Sequence, residues 1–126
     1  MRVPTAIEVK YKLISKLPTY QTDAVFSGEL LDIDRQRAVT SGSLPGEAWK
    51  DGLLQGRVLM GLNIFLPSES VAIKILTNVE AVRPNPAGVP GSTDTHFVLN
   101  FREISEDHHR RIVRFIVGLY LRKPGS

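Results

Sequence analysis

Residues 6–14 read AIEVKYKLI, and this stretch decides which kind of fold the chain can adopt. Apolar and charged side chains alternate along it, with Ile7, Val9, Tyr11 and Leu13 in one set and Glu8, Lys10 and Lys12 in the other. A repeat of two residues puts the two sets on opposite faces of a β-strand. The stretch therefore predicts a strand with one buried face and one face in water.

Five further segments have the length and apolar content of strands, and hairpin-length links separate several of them. The six predicted strands cover residues 5–14, 23–33, 35–41, 57–66, 70–83 and 95–102. The stretch SLPGEAWKDGLLQG, at 43–56, predicts irregular structure with one helical turn around Glu47 to Trp49, and residues 84–94 predict a loop. Strands at this spacing favour an antiparallel barrel.

The end of the chain changes period. Between Ile112 and Tyr120 apolar residues recur every three or four positions, which is the pattern of an amphipathic helix. Ser105 is a suitable N-cap, and Pro124 lies where the helix should end, so the predicted helix covers residues 105–122. The sequence thus predicts a mainly β fold: a single domain over residues 1–126, built as a six-stranded antiparallel β-barrel with one C-terminal α-helix.

Composition narrows the class of protein. Hydrophobic residues make up 42% of the 126 residues and charged residues 23%, which is typical of a globular domain. Cysteine is absent, so disulfides and thiol catalysis are excluded. The chain shows neither a signal-peptide pattern nor an apolar run long enough to cross a bilayer, which predicts a cytoplasmic protein without membrane insertion. A net charge of +3 is consistent with an anionic ligand and too small for a dedicated DNA-binding protein.

Catalytic motifs are missing from the sequence. It contains no GxSxG, Walker or GxGxxG pattern, so we expect no catalytic residues and no cofactor. His108 and His109 are adjacent, and neighbouring residues of a helix point apart, so we expect no metal site there. Trp49 is interpreted as a core residue, with a stacking platform for a base as the alternative. The basic residues of the helix are mostly a solvated face, with a contact to a partner as the alternative.

The stretch DIDRQR, Asp32 to Arg37, lies between two predicted strands and is almost entirely polar. It is interpreted either as a hairpin bend with solvated charges or as an anion-binding site. Arg2 lies just before the first strand, where its planar guanidinium could pair with a phosphate or a guanine edge. The alternative for Arg2 is a frayed terminal residue.

Taken in order, these features resemble the PilZ domain, the bacterial receptor domain for cyclic di-GMP. The resemblance covers nearly the whole chain and is best in three segments: GLLQGRVLMGLNIFLP at 52–67, VAIKILTNVEAVR at 71–83, and THFVLNFREISEDHHRRIVRFIVGLYLRK at 95–123. These are packing patterns of strands and a helix. The resemblance implies the barrel fold, a non-enzymatic function and cyclic di-GMP as a possible ligand.

The ligand motifs of the PilZ family are only partly present. The family carries RxxxR before the first strand, and Arg2 matches its last arginine; either residues upstream of Met1 supply the first arginine or the motif is incomplete. The family then carries D/N-x-S-x-x-G, which Asp32 matches, while Asp34 replaces the serine and Arg37 replaces the glycine. An ionised aspartate only accepts hydrogen bonds and repels phosphate. Arg35 and Arg37 could compensate with positive charge, although the changes favour loss of the site.

Two functions follow from the resemblance. The first is a regulatory domain of cyclic di-GMP signalling that binds the nucleotide, or derives from a binder, through five residues: Arg2, Asp32, Asp34, Arg35 and Arg37. The second is an adaptor that no longer binds nucleotide and contacts a partner protein or an attached domain in pilus, motility or exopolysaccharide machinery. A small nucleic-acid-binding barrel is disfavoured, because aromatic residues are only 7% of the chain.

Overall fold

The computed structural model describes residues 2–4, 6–67, 69–84 and 95–121. Its elements, in chain order, are β1 (Glu8–Ile14), β2 (Phe26–Ile33), β3 (Arg37–Gly42), α1 (Ala48–Leu54), β4 (Leu59–Ile64), β5 (Ile73–Pro84), β6 (Thr95–Ile104) and α2 (Glu106–Leu121). Apart from Pro84, the predicted loop at 84–94 lies outside the described residues, as does residue 122 of the predicted helix.

The six strands form a closed antiparallel barrel in the order β1-β2-β3-β6-β5-β4. The predicted mainly β fold with a C-terminal helix is therefore confirmed. Most predicted strands began two or three residues too early, because residues such as Asp23 to Val25 flank a strand without joining its ladder. In β1 the predicted alternation holds, since its even-numbered residues are exposed and its odd-numbered ones are buried.

Tyr11 organises the middle of the barrel core. Its side chain is fully buried, stacks on Phe26 with ring centroids 5.4 Å apart and meets the edge of Phe97 at 5.9 Å. Its hydroxyl donates to the carbonyl oxygen of Ser43 and accepts from the Ser43 N–H at 2.7 Å. The ring crosses Gly42 so closely that a Cβ there would overlap the phenol, which explains a glycine at this strand end.

One helix was not predicted. The stretch expected to be irregular, with a single helical turn, forms α1 over seven residues. Gly46 and Gly52 lower the helix propensity of this stretch, so the helix was not predicted from the sequence. Gly52 is needed where Tyr20 packs against the helix, because a Cβ there would lie 2.8 Å from the Tyr20 ring. Trp49 of α1 is half-buried against the core and meets the Tyr20 ring edge-on at 5.3 Å, so it is a packing residue.

Helix α2 covers one end of the barrel, here named the capped end. β1, β3 and β5 begin at this end, and β2, β4 and β6 finish there. Ser105 caps the helix as predicted, since its hydroxyl accepts the His108 N–H at 3.1 Å. Ile112 and Ile116 of α2 enter the core. Within the described residues, neither helix has the length and apolar character that crossing a membrane requires.

Candidate functional site at the capped end of the barrel

The DIDRQR stretch is the β2–β3 hairpin at the capped end. β2 ends at Ile33, and the Asp34 N–H donates to the carbonyl oxygen of Arg37 at 2.8 Å across the turn. The Asp34 carboxylate accepts the Arg35 N–H at 2.7 Å, so it stabilises the turn from within. A β-bulge between Leu30 and Asp32 shifts the register just before the turn. The polar stretch DIDRQR therefore forms the hairpin bend that was one of its two interpretations from the sequence.

Arg2 lies beside this hairpin. It forms an isolated antiparallel bridge with Asp32, and the neighbouring Val3 N–H donates to the carbonyl oxygen of Leu31 at 3.0 Å. The first residues therefore run along the end of β2 before the chain enters β1. Two residues thirty positions apart in the sequence, Arg2 and Asp32, become backbone neighbours, and the exposed side chain of Arg2 stands at the rim of the capped end.

Arg37 has a defined role in the barrel wall. It begins β3 in an extended conformation, and no non-glycine residue in the described part of the chain has a positive φ. Its guanidinium pairs with the carboxylate of Glu80 on β5 and donates to Asn100 Oδ1 on β6 at 3.2 Å. The side chain thus spans three strands, and its charge is already matched by Glu80. Sequence reasoning missed Glu80 and Asn100, because only the strand register brings them to Arg37.

Arg35 is the most available cation of the hairpin. Its side chain is exposed and forms no ion pair with any other described residue. Its backbone carbonyl, in contrast, is held at 3.2 Å by His109 Nε2 of α2, which acts as the donor. A cavity of about 480 Å³ separates the turn from the helix start; its lining residues are Arg35, Gln36, Phe101, Ile104, Glu106 and His109.

Formal charges at the hairpin rim cancel. Three cations, Arg2, Arg35 and Arg37, face three carboxylates, Asp32, Asp34 and Glu80. A bound phosphate would therefore meet no net positive field and would depend on local geometry, chiefly on the arginines that it could reach in a bidentate manner. The structure brings all five predicted ligand residues to one rim and adds Glu80 as a competitor for Arg37.

The two adjacent histidines contact different parts of the barrel. His108 Nδ1 accepts the Lys74 N–H at 3.0 Å at the start of β5, whereas His109 contacts the β2–β3 turn. Among the described residues, no group of three or more His, Cys, Asp or Glu side chains is arranged to hold a metal ion. Both histidines fasten the first turn of α2 to the capped end.

Arg110 and Arg114 are exposed, as the prediction of a mostly solvated basic face on α2 expects, and the exception is Arg111. Its side chain is only 12% exposed and grips the Glu69 carboxylate through Nε, at 3.3 and 3.2 Å, and through Nη2 at 2.7 Å. These hydrogen bonds hold the pKa of the Glu69 carboxyl below its ordinary value and raise the pKa of the Arg111 guanidinium. Nη2 also reaches the Val71 carbonyl, so Arg111 fastens α2 to the β4–β5 connection.

Comparison with known proteins rests on structure alone. No family model matches the sequence, and no curated protein matches it. Among solved structures, the chain is similar to the Bacillus subtilis inhibitor of motility MotI/DgrA (15% identity, TM-score 0.64, covering 98% of this chain and 51% of that one). It is also similar to MrkH, described as a c-di-GMP-dependent transcription regulatory factor (15% identity, TM-score 0.62, covering 94% and 47%).

A third similar structure is the PilZ domain of CeSA from a cellulose-synthesizing bacterium (14% identity, TM-score 0.56, covering 95% of this chain and 98% of that one). The chain therefore has the fold of PilZ domains, and the resemblance seen in its sequence is confirmed at the level of the fold. The chain spans about half the length of MotI/DgrA and of MrkH.

Proposed function

We propose that this chain is a non-enzymatic, cytoplasmic regulatory domain of the PilZ type, which acts in bacterial cyclic di-GMP signalling and binds the nucleotide at the rim formed by Arg2 and the β2–β3 hairpin. The observation that carries the proposal is the bridge between Arg2 and Asp32. These residues match parts of the two PilZ ligand motifs, and the fold puts them in contact. The similar solved structures named for motility, c-di-GMP-dependent regulation and cellulose synthesis support the same setting.

In this proposal the arginines bind, and no bond is made or broken. The guanidinium groups of Arg2 and Arg35 pair with phosphate oxygens or guanine edges, for which their planar donor geometry is suited. Ligand binding stabilises the N-terminal residues, Arg2 and Val3, in the position that they already occupy beside the end of β2. Binding thereby shifts the population of this domain toward the ligand-bound conformation, and a partner protein or an attached domain responds to that conformation.

Two rim residues weaken binding in this proposal. The Asp34 carboxylate repels phosphate where a serine hydroxyl could donate, and Arg37 is engaged by Glu80. We therefore expect weak binding by the natural sequence and stronger binding after repair of the motif. The repaired variant is Asp34→Ser with Arg37→Gly.

Isothermal titration calorimetry with cyclic di-GMP tests the proposal on four proteins: the natural chain, the repaired variant, the repaired variant with Arg2→Ala, and a matched surface control, Arg110→Ala. We expect the repaired variant to bind at least about tenfold more tightly than the natural chain, Arg2→Ala to remove that gain, and Arg110→Ala to change nothing. Absence of heat for both the natural and the repaired protein, with both folded by circular dichroism, would refute a nucleotide site at this rim.

A second candidate function is an adaptor that no longer binds nucleotide and acts through protein contacts in pilus, motility or exopolysaccharide machinery. The neutral rim favours it, because the Glu80–Arg37 pair leaves the hairpin without the positive charge that a dinucleotide requires. Exposed cations on α2, Arg110 and Arg114, offer a contact surface. Affinity capture should lose its partner on Arg110→Glu with Arg114→Glu, and unchanged capture would remove this helix from the interface. Arg111 is left intact because it holds the fold together.

A further inference from the structure

A groove crosses the outer wall of the barrel from β1 to β6. Lys12 pairs with Gly61, Gly61 with Leu76, and Leu76 with Glu103, so one row of outward-facing residues crosses β1, β4, β5 and β6. Gly61 has no side chain, so the row is low in its centre, and the tip of the Ile14 side chain takes up part of that space. The resulting groove has a volume of about 520 Å³. We name it the lysine groove.

The floor of the lysine groove is apolar. Ile14 is 47% exposed on the outer face of β1, and Leu76 is half-buried on the outer face of β5, while Ile104 at the edge of the groove packs against the core. A Cβ added to Gly61 would lie 3.0 Å from the tip of the Ile14 side chain, so Ile14 leans across the glycine. Outward positions of a barrel in water usually carry polar side chains, so Ile14 and Leu76 offer an occupant a small apolar contact among polar neighbours.

Two lysines line the lysine groove without a counter-charge. Lys12 and Lys74 are both exposed and line it, and neither ammonium group forms an ion pair within the described part of the chain. Lys10, on the same face of β1, differs because it lies 3.7 Å from Glu8. Glu103 supplies one carboxylate at the β6 end of the row. The β1–β4–β5 side of the groove is therefore positive, and the β6 side is negative.

The shape and the charge together define the occupant. All lining strands contribute their outer faces, so the groove is open to water and would cover only one side of a small ligand, whereas ligand pockets bury most of theirs. A protein segment brings its own covering surface. The closed barrel has no free strand edge here, so that segment cannot bind by strand addition and must insert side chains. The apolar floor requires an apolar anchor, and the lysines require carboxylates.

We propose that the lysine groove binds a partner protein through an acidic segment that carries a large apolar side chain. The apolar side chain lies over Gly61 between Ile14 and Leu76, and flanking carboxylates pair with Lys12 and Lys74. The groove adjoins the cavity beside the hairpin at Ile104, but Lys12, Lys74, Ile14 and Leu76 are not among the residues proposed to bind nucleotide at the rim, so the two proposals can be tested apart.

A fluorescein-labelled synthetic peptide of sequence DELFDE is a direct probe of this groove, read by fluorescence anisotropy at low salt. Two control peptides separate the contributions: DESSDE keeps the charge without the anchor, and KKLFKK keeps the anchor with the opposite charge. We expect DELFDE to bind in the range of about 0.1–1 mM and both controls to bind at least about fivefold more weakly. Amide shifts at Lys12, Gly61 and Leu76 in a two-dimensional NMR titration locate the bound peptide.

Protein variants on exposed positions test the assignment without disturbing the core. The double variant Lys12→Glu with Lys74→Glu should weaken DELFDE binding about tenfold, and Glu103→Gln should strengthen it about twofold. The matched control Lys16→Glu with Arg57→Glu makes the same change of charge at two exposed positions outside the groove and should change binding less than about twofold. Thermal melts confirm that each variant is folded. Equal binding of DELFDE and DESSDE, unchanged binding by the double variant, or no binding at about 1 mM would each overturn the proposal.

Discussion

The contact between Arg111 and Glu69 gives the sharpest test of how α2 is held on the barrel. Arg111→Ala removes a bidentate, charge-assisted hydrogen bond and the donor to the Val71 carbonyl. Charged hydrogen bonds contribute about 1.5–3 kcal/mol when shielded, and exposed ion pairs about 0.2–1 kcal/mol. With Arg111 12% exposed and Glu69 27% exposed, the pair lies between these limits. We expect Arg111→Ala to lower the free energy of unfolding by about 2 kcal/mol.

A double-mutant cycle isolates the pair from the loss of packing. Arg111→Ala, Glu69→Ala and the double variant, compared by urea denaturation, should give a coupling energy of about 1–1.5 kcal/mol. Arg110→Ala is the matched control, because it removes an exposed arginine next to Arg111 on α2 and should cost less than about 0.5 kcal/mol. A coupling energy below about 0.3 kcal/mol would refute the view that this contact fastens α2.

The same contact predicts a dependence of stability on pH. The pKa of the Glu69 carboxyl is lowered in the folded protein from an ordinary value of 4.5, chiefly by the hydrogen bonds from Arg111. A lowered pKa means that the ionised form is favoured by folding, so its contribution is present above pH 4.5 and is lost as the pH falls through the folded-state pKa. The difference in stability between the natural protein and Glu69→Ala should therefore be constant near neutrality and shrink below pH 4.5.

Substitutions at three further positions test local features of the fold by thermal or urea denaturation. Gly28→Ala places a Cβ on the carbonyl oxygen of Ser41 and should cost more than about 3 kcal/mol, and a loss below about 1 kcal/mol would contradict this strand contact. Gly118→Ala adds a methyl group with nothing within 4 Å, in the last described turn of α2, and should stabilise by up to about 1 kcal/mol. Ser105→Ala removes the cap on His108 and should cost about 1 kcal/mol, whereas Ser105→Asp should retain most of the stability.

The fold could be predicted because its signals are local. Alternation in β1, and spacings of three and four in α2, each reflect one element whose buried side faces a single core. Helix α1 was not predicted because Gly52 lowers the helix propensity of its sequence. Gly52 leaves room for Tyr20, a tertiary contact that local propensity cannot reveal. Most strands were predicted to begin too early for a similar reason: a strand begins where its first hydrogen-bonded partner residue lies, and that partner is on another strand.

The composition of the site could be predicted only in part. The position of the hairpin and the closeness of Arg2 follow from a motif pattern, but the partner of Arg37 does not. Glu80 lies 43 residues away in the sequence, and it is the extra residue of a β-bulge where β5 pairs with β6. The Arg111–Glu69 pair spans 42 residues in the same way. Ion pairs of this kind depend on how strands and helix are placed against one another, which is a property of the assembled barrel.

Closure of the barrel has a consequence for synthesis of the protein. β3 pairs with β2 on one side and with β6 on the other, so the nascent chain carries an open seam until Thr95–Ile104 leaves the ribosome. β1 likewise waits for β4. Unpaired strand edges are templates for misassembly between chains, so this interval of translation is the one in which the protein depends most on chaperones. The last seam to form is the one that Arg37 and Asn100 bridge, and the candidate site is therefore completed together with the fold.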